Sequence, residues 1–218
     1  MIFCANHPSW WDPITLMLLA GHYFPERSSF GPIDAAALAR YPLLGKLGLF
    51  GVERDSRASL RQFTAAGDAI LTTMDTALGI TVQGEFTDPR ARPVAVEAGV
   101  AHLMRRHPLV PVVPVAIEYP FWDERWPEVL VRFGPTEGGY PERARQPIAD
   151  IREQLALTLA SNQDALAALA ATRDPTRFET IVEGRKGVGG VYDLGRRLRA
   201  WLSGQRFDAA HGSPEVQS

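Results

Sequence analysis

The stretch that decides the fold runs Ile2-Phe3-Cys4-Ala5-Asn6-His7-Pro8-Ser9-Trp10-Trp11-Asp12. Its first four residues form a short apolar run, read as a buried strand. Ser9 followed three residues later by Asp12 is a capping-box pattern, with Pro13 inside the first turn where a missing N–H costs little. Ile14, Leu16, Met17, Leu18 and Leu19 continue as an apolar helix to Gly21. His7 therefore lies just before a helix and Asp12 in its first turn, where a tight turn can join them. Neutral imidazole can take a proton from a hydroxyl while a carboxylate fixes its tautomer and stabilises the imidazolium. Asp12 is equally explained by helix capping alone, and no nucleophile accompanies the pair.

Outward from this stretch, 218 residues of which 45% are apolar can bury one substantial core. The expected organisation is an α/β core over 1–140, a helical C-terminal extension over 141–206, and a disordered tail over 207–218. A formal charge of −2 argues against a general nucleic-acid binder. The single cysteine, Cys4, excludes an internal disulfide and suits a reducing compartment, as a small buried strand residue. No window approaches the roughly 20 apolar residues of a membrane span. With no basic leader before the first strand, a cytoplasmic location is the expectation.

Apolar, β-rich runs alternate with helical ones. Strands are predicted at Ser28 to Ile33, Leu49 to Arg54, Leu78 to Val82, Val110 to Glu118 and Val129 to Phe133. Helical segments are predicted from Ala35 to Leu47 with a break at Pro42, from a Ser56 cap to about Met74, from Val96 to Arg106, and from Ile148 to Ala171. In the second of these, Leu60, Phe63, Ala66, Ala69 and Ile70 would form the inner face. The alternation implies a largely parallel mixed sheet flanked by helices, with a site at strand ends.

Three further strand ends carry unusual chemistry. Gly48-Leu49-Phe50-Gly51-Val52-Glu53-Arg54 delivers an arginine suited to a phosphate or carboxylate, or to an ion pair with Glu53 or Asp55. Val82-Gln83-Gly84-Glu85-Phe86-Thr87 closes on a glycine between an amide and a carboxylate; glycine permits close approach to a ligand or an ordinary turn. Val110-Pro111-Val112-Val113-Pro114-Val115 sets two prolines in an apolar strand, which must be bulged, end-positioned or partly unpaired, and which suits a wall of a hydrophobic slot.

Taken in order, these elements resemble the glycerolipid acyltransferase family, whose best-known members are the 1-acylglycerol-3-phosphate O-acyltransferases. The resemblance covers roughly Ile2 to Ala116. Asn6, His7 and Asp12 match a first motif N-H-x-x-x-x-D, with Ser9 at a position often serine. Gly48 and Arg54 match a second motif, whose arginine implies binding of the acceptor phosphate. Against a third motif, Phe-Pro-Glu-Gly-Thr, the chain has Thr81-Val82-Gln83-Gly84-Glu85, with glutamine in the place of glutamate and Glu85 two residues on. Val110, Pro111, Val112, Pro114 and Val115 match a fourth, V-P-V-x-P-V-like strand.

The resemblance implies a glycerol-3-phosphate acyltransferase-like fold and an acyl transfer from acyl-CoA or acyl-carrier-protein to a hydroxyl of a lysophospholipid or related lipid. His7 and Asp12 would be catalytic; Asn6, Ser9, Gly48, Arg54, Gln83, Gly84, Glu85 and Pro111 would serve substrate binding. No cofactor or metal is implied, and the acyl donor is a co-substrate. A non-catalytic lipid- or acyl-chain-binding protein of the same fold is the alternative. Many family members carry membrane-docking helices ahead of the first motif; with a motif starting at Asn6, either the sequence is a fragment or has a misassigned start, or docking is done elsewhere. Val191, Leu194, Leu198, Trp201 and Leu202 at helical spacing, with Arg196, Arg197 and Arg199 on other faces, read either as a peripheral contact with the inner face of the cell membrane or as a stripe packed on the core with its arginines solvated.

Overall fold

A computed structural model describes residues 1–53, 57–123 and 125–184. Arg54, Ser56 and the basic amphipathic segment Val191 to Leu202 lie outside the described residues, as does the tail over 207–218.

Six strands form one sheet: β1 (Ile2–Ala5), β2 (Ser28–Asp34), β3 (Leu49–Val52), β4 (Thr76–Thr81), β5 (Val112–Glu118) and β6 (Leu130–Phe133), in the order β3-β2-β4-β1-β5-β6. The four pairings among β1 to β5 are parallel, with Ala5 opposite Thr81 on β4 and Val115 on β5. The mostly parallel sheet places β1 and β4 at its middle, so their carboxyl ends open where α/β sheets bind ligands.

Helices cover both faces. α4 (Arg57–Thr72), α5 (Ala98–Arg106) and α6 (Ile148–Ala170) enclose the main core with Ile2, Cys4, Leu78, Ile80, Val82 and Val112 from the strands. On α4, Phe63, Thr64 and Gly67 are buried and Ile70 packs partly buried on the core, while Leu60 and Ala69 are exposed. Phe63 and Ile70 thus fall on the predicted face; Gly67 joins it because Leu103 of α5 packs where a Cβ there would stand, 2.6 Å away. On the opposite face, α1 (Asp12–Tyr23) sets Leu16 against Gly79 of β4, and α2 (Ala35–Arg40) sets Ala35 and Leu38 against Gly51 of β3. The short α3 (Leu43–Lys46) follows Pro42, as the break in the pattern predicts. No helix among the described residues is long and apolar enough to cross a membrane.

The chain divides into two compact units, 1–118 with 131–168, and 119–130 with 169–218. This partition differs from a boundary at 140: Ile151, Leu155 and Leu159 of α6 belong to the main core. In the second unit, Trp122 meets Phe178 edge-on at 6.0 Å and Arg173 pairs with Asp123 at 2.8 Å.

β5 begins at Val112, later than the predicted start at Val110. Pro111 precedes it, and its carbonyl accepts from Ile2 N–H at 2.9 Å. Pro114 stands inside the strand opposite Cys4, and its carbonyl accepts from Gly134 N–H on the side away from β1. Backbone groups of one residue point to one side of a strand, so the missing proline donor faces β6 and leaves the β1 ladder whole.

Candidate functional site

The turn between β1 and α1 brings the predicted pair together. His7 Nδ1 lies 2.7 Å from Asp12 Oδ2, with Asp12 fully buried and the imidazole 12% exposed. The same oxygen accepts Ser9 N–H at 3.0 Å, the carboxylate arm of the capping box. The other arm is displaced: Ser9 Oγ accepts from Trp11 N–H at 3.3 Å, and the helix begins at Asp12 with Trp11 as its cap. Because Asp12 accepts, the imidazole proton belongs on Nδ1 and the lone pair on Nε2. Nε2 makes no hydrogen bond among the described residues.

The loop after β4 completes the cradle. Gln83, only 3% exposed, accepts His7 N–H at 2.6 Å through Oε1, and Thr87 N–H donates to the His7 carbonyl at 2.9 Å. Both backbone groups of His7 are thereby tied to one loop. The ring of Phe86 lies 4.6 Å from the imidazole. Gly84 makes this turn at φ +69°, a conformation that favours glycine. Phe86 and Thr87 belong to the quoted Val82 to Thr87 run, yet only its first glycine and flanking polar residues stood out in sequence; Phe86 carries no polar signal.

The residues assigned to substrate binding occupy different places in the fold. Asn6 is fully buried, and its amide exchanges two hydrogen bonds with Ile117 of β5, donating to its carbonyl at 2.9 Å and accepting its N–H at 2.8 Å. With oxygen and nitrogen both committed, Asn6 clasps two strand ends. Pro111 lies before the amino end of β5, and His7 follows the carboxyl end of its parallel neighbour, so the sheet separates them. Gly48 precedes β3 at the same far edge; its φ is +92°, and a Cβ there would stand 2.1 Å from Ser29 O. It shapes a turn. Glu85 is exposed and does not take the place beside His7, which Gln83 fills.

Charge gathers at the rim. Arg90 grips Asp88 through two side-chain hydrogen bonds of 2.9 and 2.7 Å, holding that carboxyl well below its usual range. Partial burial raises Glu118, at the end of β5, above the ordinary glutamate value; Arg90 opposes this and Asp88 reinforces it. Cys4 is fully buried in mid-strand, and burial above all pushes its thiol far up, with Glu137 adding to the effect. A thiol so placed is no nucleophile.

Beside the turn, a narrow apolar groove runs between α1 and the sheet. Pro13, Leu16 and Met17 form one wall, Leu49 contributes to the other, and Gly31, Ala77 and Gly79 lie along the floor. Thr81, at the carboxyl end of β4, brings the groove to the His7 end of the sheet.

No protein-family model matches the chain, and no curated protein matches it.

Proposed function

We propose that the protein transfers a fatty acyl group from a thioester, acyl-CoA or acyl-carrier-protein, to a hydroxyl of a lysophospholipid or related lipid, on a glycerol-3-phosphate acyltransferase-like fold. The observation that carries this reading is the 2.7 Å contact of His7 Nδ1 with buried Asp12, which leaves Nε2 open. In the reaction, Nε2 accepts the proton of the acceptor hydroxyl as its oxygen attacks the thioester carbonyl. The C–O bond forms, the C–S bond breaks, and the proton passes to the departing thiolate. Asp12 stabilises the transient imidazolium.

The chemistry needs no acyl-enzyme, and two observations favour direct transfer. Cys4 is sealed in the core, and Ser9 Oγ is directed to Trp11 N–H. Arg54 is the residue that the resemblance assigns to an acceptor phosphate. Fixing both substrates can lower the barrier by about 7–11 kcal/mol. A peripheral place on the inner face of the cell membrane belongs to the same reading.

The test is thiol release from acyl-CoA and acyl-carrier-protein donors across a panel of lysolipids, with mass spectrometry of the product. Turnover that His7→Ala abolishes, in a variant with an unchanged circular dichroism spectrum, is the expected result. Lipid binding without turnover, indifferent to His7→Ala, would replace the enzyme with a non-catalytic lipid-binding protein.

A further inference from the structure

The outer surface of the layer formed by α1, α2 and α3 has a composition that the catalytic reading does not use. After Asp12, α1 is apolar all round, a property normally found in buried helices. Its inner side is buried on the sheet through Leu16, Leu19 and Ala20, yet Trp11 is 48% and Leu18 55% exposed, one two-turn step apart on the outer side. Trp10, 61% exposed, stacks beside Trp11 with ring centroids 4.2 Å apart. On the α2–α3 pair, Tyr41, Leu43 and Leu47 are exposed as well.

The two sets belong to one layer. Leu49 lines the groove under α1, and Gly51, two residues on and so on the same face of β3, carries α2. No carboxylate occurs from Pro13 to Pro25 or from Ala35 to Val52, whereas Arg40 and Lys46 are exposed; Glu26, Asp34 at the cap of α2 and Glu53 flank these stretches. Arg40 lies over the Tyr41 ring at 5.4 Å, leaving its outer side to anions.

We infer that this layer docks on an anionic lipid bilayer, with Trp10 and Trp11 at head-group level and Arg40 and Lys46 against lipid phosphates. Exposed tryptophan and tyrosine among aliphatic side chains, with exposed cations on α2 and α3, is the chemistry that enters such an interface. Docked this way, the turn that carries His7, next to Trp10 and Trp11 in the chain, lies near the head groups. The inference rests on the lipid-acceptor reading for its purpose, although its observations are independent of the His7 chemistry.

The experiment is co-sedimentation of the full chain with vesicles of phosphatidylcholine, with and without phosphatidylglycerol. Binding should favour phosphatidylglycerol and weaken with salt. Leu18→Glu with Leu43→Glu should reduce it roughly tenfold or more, Arg40→Glu with Lys46→Glu should remove the anionic preference, and Leu198→Glu should leave it intact. Thioester turnover of Leu18→Glu with Leu43→Glu should fall on vesicle-borne acceptor and hold on detergent-dispersed acceptor. Absence of vesicle binding overturns the inference, as does binding lost in Leu198→Glu but kept in Leu18→Glu with Leu43→Glu. A dimer in sedimentation that this double variant dissolves, without vesicle binding, assigns the face to a second copy and also overturns it. Vesicle binding with the expected variant pattern, but no turnover from any donor, supports the docking face while rejecting the acyltransferase.

Discussion

Gln83 holds His7 by its backbone: the Gln83 Oε1 accepts His7 N–H at 2.6 Å, from a side chain almost wholly buried. Since the partner is a donor, the oxygen must face it and the –NH2 must face away. Glutamate at this position could accept the same hydrogen bond but would add a negative charge near the imidazole. Gln83→Glu should therefore retain the fold and move the acid limb of the kcat/KM profile to higher pH, because an opposite charge favours the imidazolium. Gln83→Leu should leave the His7 N–H orphaned and lower stability by about 1–3 kcal/mol. An unmoved acid limb in Gln83→Glu would reduce Gln83 to a purely structural clamp.

Asn6 acts one residue earlier and on the other neighbour of β1. Its paired hydrogen bonds with Ile117 join the carboxyl ends of β1 and β5 just where His7 leaves the sheet. Asn6→Ala orphans a buried N–H and a buried carbonyl, each costing about 1–3 kcal/mol. Urea denaturation should show that loss. Asn6→Asp should cost stability too, since the carboxylate keeps the acceptor but loses the donor and brings a charge into the core. If the enzyme reading holds, kcat should fall more than KM rises, because the clasp aims the base and touches no substrate.

The main elements were legible because most strands are apolar runs bounded by turn residues and α4 and α5 show 3.6-residue periodicity. The His7–Asp12 contact was legible for a local reason: one turn spans both residues. Gly48 and Pro111 read as neighbours of His7 because sequence places motifs along the chain, whereas a parallel sheet sorts them by which end of a strand they occupy. Gly48 and Pro111 precede their strands; His7 and Gln83 follow theirs. The Gln83 contact joins residues 76 apart, beyond any local pattern. On α4, Phe63 and Ile70 were legible as inward, whereas Gly67 gives no apolar signal, although Leu103 packs directly against it.

Glu118 offers a pH test at the rim. Burial raises it, with Arg90 opposing and Asp88 adding to the shift. A carboxyl raised on folding stabilises the native state in its protonated form: that contribution is full below the ordinary glutamate value and is lost as pH rises through the higher native value. Glu118→Gln removes the penalty of the charge. Its Tm should exceed that of the parent at about pH 7, and the two should converge toward about pH 4. A difference that persists unchanged at low pH would point to altered packing.

Asp12 separates a catalytic carboxylate from a turn former. Its Oδ2 accepts both His7 Nδ1–H and Ser9 N–H. In Asp12→Asn the Ser9 donor keeps an oxygen at that shared point, so the imidazole retains its tautomer and loses only the negative charge that stabilises its protonated form. The turn and Tm should then be little changed, while kcat falls on the order of 10²–10⁴. Asp12→Ala removes the acceptor for both donors and should lower stability by about 1–3 kcal/mol as well as activity. Thiol release and thermal melting on the same preparations distinguish the cases. Full activity in Asp12→Asn would leave Asp12 as a capping residue and take the charge-stabilising half of the mechanism away from His7.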